Sequence, residues 1–370
     1  MRDRITPQPA VSVRLVGLWL LLAGGYFLTA WLSGQLVLSS SQSIGLWSPL
    51  WLPSGLAIAA VLRLGNRVWP GILLGALVHD LFLLGLPLAQ ALAIDAGNVL
   101  EALVAAAVFR RLSGSSDPLA GSRSVLLFAL TGFVAAAGLS ATPGVAALAV
   151  GGIIAWDSAA QMWWLWSLGN TTGVLILTPM LLCLYDACNR GRHNRGLQAE
   201  AVLILGLAFG ITHLAFGGWL QTPSSGLPLA FLALPFLVWS AFRVDMRATT
   251  VLVLLLSLIS AWNTVQGTGP FVRASGLESV WLLQGYMLVL ALTGLLLGAV
   301  VGERERARHS LQQTLNEQED RIQAGTRELR HANMTLEREI GERSRAERIS
   351  RGRGRVLELL ATGRPLQEIL

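Results

Sequence analysis

Ser279-Val-Trp-Leu-Leu-Gln-Gly-Tyr-Met-Leu-Val-Leu-Ala-Leu-Thr-Gly-Leu-Leu-Leu-Gly-Ala-Val-Val301 runs for twenty-three residues without a charge, and Glu303-Arg-Glu-Arg-Ala-Arg308 follows almost at once. A helix of that length crosses a bilayer core. The charged stretch then continues for nearly fifty residues with no proline. The pair reads as a membrane span that hands over to a cytosolic helix. Everything before it reads as membrane, and almost everything after it as coil.

Composition agrees. The chain of 370 residues is 53% hydrophobic, with apolar runs of spanning length, so a set of soluble domains is excluded. The net charge of +6 does not mark a nucleic-acid surface. Residues 303–370 hold 14 Arg against 12 acids, so most of the excess lies in the loops between spans, where basic residues set topology. No nucleic-acid partner is expected; the lipid bilayer is. Cys183 and Cys188 close one span beside the basic loop Asn189-Arg-Gly-Arg-His-Asn-Arg195, on the side where thiols stay reduced, and no His pair converges with them, so no metal site is expected. The apolar run Leu15–Leu38 is too long for a cleaved signal and reads as the first span.

Ten candidate spans follow the apolar runs: 13–36, 48–64, 68–86, 88–109, 123–150, 159–184, 199–218, 227–243, 247–266 and 279–301. The second and third are short and joined tightly; as one hairpin they lower the count, giving about 8–10. Arginine tests the order. With a cytosolic N-terminus, the inner loops hold Arg63, Arg67, Arg110, Arg111, Arg123, Arg190, Arg192, Arg195, Arg243 and Arg247, and the outer loops only Arg273. That bias puts both termini in the cytosol. Pro53, Pro143, Pro179 and Pro235 are expected to kink spans. Glycines four apart (71/75, 169/173, 206/210, 294/298) are expected to let helices approach closely.

Charge inside a span is costly and faces the bundle interior. Asp95, Asn98 and Glu101, at i, i+3 and i+6, share one face of the fourth span. With His79 and Asp80, Asn170 to Thr172, and His213, they could line one polar cavity. Ligand contact, ion or proton sensing, and plain helix-to-helix hydrogen bonding all fit Asn98 and Glu101. His79, Asp80 and His213 read more simply as wet span ends. Trp47, Trp51, Trp69, Trp156, Trp163, Trp164, Trp219, Trp262 and Trp281 cluster near span ends, as an interfacial belt does; a cage for a cation or flat ligand is the sharper alternative. No phosphate loop, HExxH or GxSxG is present, so the residues offer no catalytic set.

Several blocks, in order, resemble the type-1 membrane-associated sensor (MASE) family over residues 15–302. They are Trp51-Leu-Pro-Ser-Gly-Leu-Ala-Ile-Ala59, Leu64-Gly-Asn-Arg-Val-Trp-Pro-Gly-Ile-Leu-Leu-Gly-Ala76, Asn98-Val-Leu-Glu-Ala102, Trp166-Ser-Leu-Gly-Asn-Thr-Thr-Gly-Val-Leu-Ile-Leu-Thr-Pro179, Gly269-Pro-Phe271 and Leu283-Gln284. Where members often carry Asp, this chain has Asn170. The resemblance implies a bacterial inner-membrane input module that sits ahead of histidine kinases (two-component systems), diguanylate cyclases or cyclic-di-GMP phosphodiesterases. It points to Trp51, Pro53, Gly55, Trp69, Pro70, Asp95, Asn98, Glu101, Trp166, Asn170, Pro179 and Gln284 as sensing candidates. The signal, a small molecule or ion, and any cofactor are left open.

In the tail, Leu315, Ile322, Leu329 and Leu336 recur every seven residues, with Leu311 and Ala332 as partial a positions; Gln318 and Gly325 weaken the seam, and Ile340 shifts its register. A parallel homodimeric coiled coil of roughly 70 Å is expected. Arg355-Val-Leu-Glu-Leu-Leu-Ala-Thr-Gly-Arg-Pro-Leu-Gln-Glu-Ile-Leu370 resembles the opening helix of a GAF domain. The expected fold is therefore all-α: a polytopic membrane bundle over 1–302, a cytosolic coiled-coil helix over 303–354, and the start of a further domain over 355–370. A transporter with a helical tail is the alternative, suited by kinked spans and mid-membrane polar residues.

Overall fold

The computed structural model describes residues 13–37, 48–190, 195–217 and 230–361, and every regular element among them is helical. In chain order the helices are α1 (Val13–Gly34), α2 (Leu52–Leu64), α3 (Trp69–Val78), α4 (Leu88–Ser113), α5 (Ser122–Ala135), α6 (Thr142–Val150), α7 (Ala159–Arg190), α8 (Arg195–Phe216), α9 (Leu234–Arg243), α10 (Met246–Val265) and α11 (Gly276–Ala361). Among the described residues, seven stretches are long and apolar enough to cross a membrane: α1, α4, the joined α5–α6, α7, α8, α10 and α11. Two expected spans are shorter. Residues 48–64 shrink to α2, and 68–86 to α3 with a π-helical extension, His79–Leu83; of 227–243, residues 230–243 are described and hold the apolar helix Phe231–Arg243.

Proline explains the shortness, and it corrects the expectation of kinks. Pro53, Pro70, Pro143 and Pro235 each sit in the first turn of a helix. For Pro53, Pro70 and Pro235 the missing N–H is one that a first turn leaves unpaired, so the correction applies to Pro53 and Pro235. Pro179 lies inside α7, and Pro143 inside the continuous helical run Ser122–Val150. Pro143 follows a π-helical segment, Ala136–Ala141, which joins α5 to α6. The wider π turn takes up a register change in an otherwise continuous span.

Glycine sets the closest approaches. A Cβ on Gly71 would lie 2.7 Å from the Trp19 carbonyl oxygen, and one on Gly75 2.6 Å from that of Ala23, so α3 lies directly on the α1 backbone. Gly55 of α2 and Gly173 of α7 interlock in the same way: a Cβ on Gly173 would run into the Trp51 carbonyl, and one on Gly55 into the Gly173 carbonyl. Such contact lets apolar helices gain dispersion energy where lipid offers no hydrophobic drive. The pair Gly206 and Gly210 departs from the expectation; both face open space.

The arginine-bearing helix ends collect together. Arg63 pairs with Asp186 at 2.6 Å. Arg110 donates to the Val61 carbonyl and to Asn66. The Trp19 indole donates to the Arg67 carbonyl, and Arg243 and Trp239 both reach Glu200. Glu303 accepts from the Ser122 amide at 3.0 Å, at the start of α5.

Contacts divide the chain between Arg304 and Glu305. The first unit is the apolar bundle. In the second, α11 stays helical to Ala361 through Gly325, Gly341, Gly352 and Gly354, and its side chains are almost all exposed, Leu315, Ile322, Leu329 and Leu336 included. Residues 362–370 of the GAF-like stretch, Trp47, Trp219 and the side chains of Cys188 and of the 190–195 arginines lie outside the described residues.

Candidate functional site

Three residues of α4 start the site. Asp95, Asn98 and Glu101 are all buried, on the single face their spacing demands. Glu101 sits near the middle of the helix. Its Oε2 accepts from Asn170 Nδ2 of α7 at 2.7 Å and from Ser54 Oγ of α2 at 3.3 Å. The same Asn170 nitrogen donates to Ser140 Oγ at 3.0 Å, and Ser140 donates to Asn98 Oδ1 at 2.7 Å. One chain of hydrogen bonds, Ser54–Glu101–Asn170–Ser140–Asn98, therefore ties four segments at the centre of the bundle. Networks of this kind rigidify a core when their members are satisfied. This one is not closed: Glu101 Oε1 is buried and has no partner among the described residues.

A second group lies nearer the end opposite the arginines. The π turn that closes α3 turns His79 and Asp80 inward. His79 Nδ1 and Asp80 Oδ1 are 2.7 Å apart, and both residues are buried. This corrects the expectation of a wet span end. His79 is also held by the edges of Phe27 and Trp51, with ring centroids at 6.4 and 5.7 Å. Asp95 is fully buried, and neither carboxylate oxygen has a hydrogen-bond partner among the described residues. Asp80 and Asn98 stand beside it. Tyr26 of α1, 2% exposed, pairs with Trp51 and faces Asp80, Asp95 and Glu101.

Between the two groups lies a cavity of about 60 Å³, bounded by Ser48, Trp51, Asp80, Asn98, Trp166 and Asn170 among others. Leu84, Leu86, Ile94 and Leu148 form its apolar wall. A second cavity of about 230 Å³ adjoins it through Ser48, Trp51 and Leu84 and is lined by Trp31 and His79. The chamber has two indoles, a carboxylate and two amides around a small space. It has the composition of a site for a small polar guest.

The expected candidates separate cleanly. Trp51, Asp95, Asn98, Glu101, Trp166 and Asn170 come together. Pro53 and Gly55 serve the α2–α7 interface, where Thr178, next to Pro179, donates to the Gly55 carbonyl at 2.8 Å. Trp69 and Pro70 start α3 at the arginine end, away from the cavity, with Trp69 44% exposed. His213 is exposed and stacks on Phe209, so it does not join the polar group. Thr171 and Thr172 turn their hydroxyls to backbone carbonyls. Trp156, Trp164, Trp262 and Trp281 are exposed like a belt, while Trp51 and Trp166 form the cavity walls. Gln284, fully buried on α11, donates to the Leu165 carbonyl of α7 at 3.1 Å, one turn from Gly169 and Asn170. The last span is thus attached to the helix that walls the chamber. Sequence reasoning missed Tyr26, Ser54 and Ser140. No group of three His, Cys, Asp or Glu placed to hold a metal occurs among the described residues.

The family model MASE1 matches residues 18–305. Over 222 residues the chain is 25% identical to the probable diguanylate cyclase DgcE of Escherichia coli (strain K12), a match covering 58% of this chain and 18% of that protein. The chain thus matches less than a fifth of the length of that relative. No solved structure matches it.

Proposed function

This chain belongs to the MASE1 family of membrane sensory input modules, and from that premise we propose that it passes a signal gathered in the α4–α7 cavity, through α11, to a cytosolic output domain. The observation that carries the proposal is the double attachment of the apolar part of α11. Gln284 binds α7 beside the cavity, and Glu303 binds the start of α5 at the arginine end. A change in the chamber that moves α7 therefore acts on the helix that leaves the bundle. Switching proteins use small shifts of this kind at helix contacts.

The output would be cyclic-di-GMP turnover or a histidine kinase of a two-component system. The partial match to a probable diguanylate cyclase favours the first. The setting is the bacterial inner membrane with both termini cytosolic, supported by the gathering of arginine-bearing ends. Leu315, Ile322, Leu329 and Leu336 form an exposed seven-residue ridge on α11, which suits a parallel homodimeric coiled coil. Single cysteines at 315, 322 and 329, in a chain with Cys183 and Cys188 replaced by serine, test this in native membranes. Oxidation should trap dimers. Their absence at all three positions would sink the dimeric output.

A further inference from the structure

A buried histidine with one idle nitrogen sets the problem. His79 is 2% exposed, and its Nδ1 lies 2.7 Å from Asp80 Oδ1. Its Nε2 has no partner among the described residues and is not sealed into the core. The ring lines the cavity of about 230 Å³. The edges of Phe27 and Trp51 hold the ring in place. Asp80 at Nδ1 fixes its orientation. The imidazole therefore offers the cavity one hydrogen bond, as donor or as acceptor.

The rest of the wall restricts the guest. No other described lining residue carries a charge, so an ion finds no second charged partner. The Ser48 hydroxyl is already bonded to the Leu50 carbonyl and amide. Apart from two indole N–H groups, that leaves Gln35, at the exposed rim, as the further side-chain hydrogen-bonding group. A polyol would strand most of its hydroxyls in such a space. Trp31, Trp51, Val37, Leu83 and Leu84 present apolar surface. The volume exceeds the ~150 Å³ of a cavity that takes benzene, so a substituted ring fits.

Access is from the side. Trp31, Leu83 and Leu84 line the cavity and are 41, 48 and 39% exposed. They stand near the end of α1 and after α3, at the end of the bundle opposite the arginines. Apolar and aromatic surface at the end of a span meets lipid and its interface. A guest entering over this rim is dissolved in the bilayer. A neutral ring with one or two oxygens, an apolar periphery and lipid solubility is a quinone or quinol head group.

We propose that the cavity between the end of α1, the start of α2 and the π turn after α3 binds the head group of a lipid-soluble quinone, with one ring oxygen on His79 Nε2 and the ring against Trp31 and Trp51. This assignment deepens the sensory reading by naming a class of signal and rests on that reading for its purpose, but its test reads binding alone.

The full chain in lipid nanodiscs is titrated calorimetrically with decylubiquinone, and empty nanodiscs give the partitioning background. Decylbenzene, which lacks ring oxygens, and glucose are the comparisons. Saturable binding of one decylubiquinone per chain is expected, with both comparisons at background. His79→Ala removes the hydrogen bond and should weaken binding by about tenfold or more. It also strands Asp80, so a second variant guards against misfolding. A Cβ on Gly34, which lines the cavity, meets no atom within 4 Å. Gly34→Phe should therefore fold, fill the space and abolish binding. Gly206→Phe, in equally open space on α8, should leave binding unchanged. The proposal is overturned by decylubiquinone at background, by decylbenzene binding equally well, or by glucose binding in its place. It is also overturned by an affinity that Gly34→Phe, or a folded His79→Ala, leaves unchanged. Dimer crosslinks on α11 that persist without quinone binding would remove this site and leave the sensor reading intact.

Discussion

Asn170→Asp tests the central network, and its effect follows from the hydrogen bonds. Asn170 Nδ2 donates twice, to Glu101 at 2.7 Å and to Ser140 at 3.0 Å. An ionised aspartate donates nothing and brings a second negative oxygen against Glu101. The first bond, short and to a carboxyl group, is worth roughly 1.5–3 kcal/mol, and the second roughly 1 kcal/mol. Interhelical hydrogen bonds in membranes average lower, so about 2–3 kcal/mol is the expected loss. That is roughly a thirtyfold to 150-fold shift in the folded ratio. The reverse exchange supplies the control. In Glu101→Gln with Asn170→Asp, the glutamine amide can donate to the new carboxylate, and the pair is rebuilt with donor and acceptor swapped. A double-mutant cycle in mixed micelles, read by denaturation with a harsh detergent, should show the double variant recovering at least half of the loss. If Asn170→Asp is as stable as the parent, or the double variant is only the sum of the singles, the network does not hold the bundle centre.

Two further outcomes follow from packing and from charge. Gly173→Ala drives a methyl group into the Trp51 carbonyl and should cost about 1–3 kcal/mol of stability by overpacking, whereas Gly206→Ala, facing open space, should be neutral within about 0.5 kcal/mol; thermal unfolding in detergent compares them, and equal effects would contradict the α2–α7 interlock. A periplasm-active reporter fused after Gly302 should stay silent and one placed after Arg273 should be active; the opposite pair of results would reverse the orientation inferred from arginine.

Much of the fold could be read from local chemistry, because a bilayer leaves few choices. The switch at Glu303 falls within two residues of the boundary between the contact units. The face of α4 was legible for the same reason: within an uninterrupted helix, residues three apart must project together. Periodicity says nothing about where that face points. His79 and His213 carry the same sequence signature, a histidine near the outer end of an apolar run, yet one is buried against Trp51 and the other exposed on Phe209. The difference is set by how each helix is rotated about its axis, which depends on neighbours far away in sequence.

The missed Ser140 and the misplaced pair His79–Asp80 share a more specific cause: all three lie in π-helical segments. A π turn inserts a residue into the helical repeat, so every side chain beyond it is rotated from the place a 3.6-residue period assigns. Read as plain α-helix, residues 122–150 give no reason for Ser140 to meet both Asn98 and Asn170, and it nevertheless links them. Pro143 was the available clue, because a proline in a continuous span needs some local relief of the hydrogen-bond ladder. The two irregular turns deliver polar groups to the chamber from α3 and from the α5–α6 join, while regular helix delivers them from α4 and α7. The polar centre is therefore built where helical regularity gives way, and restoring regular α-helix at either π segment would rotate a polar side chain out of it.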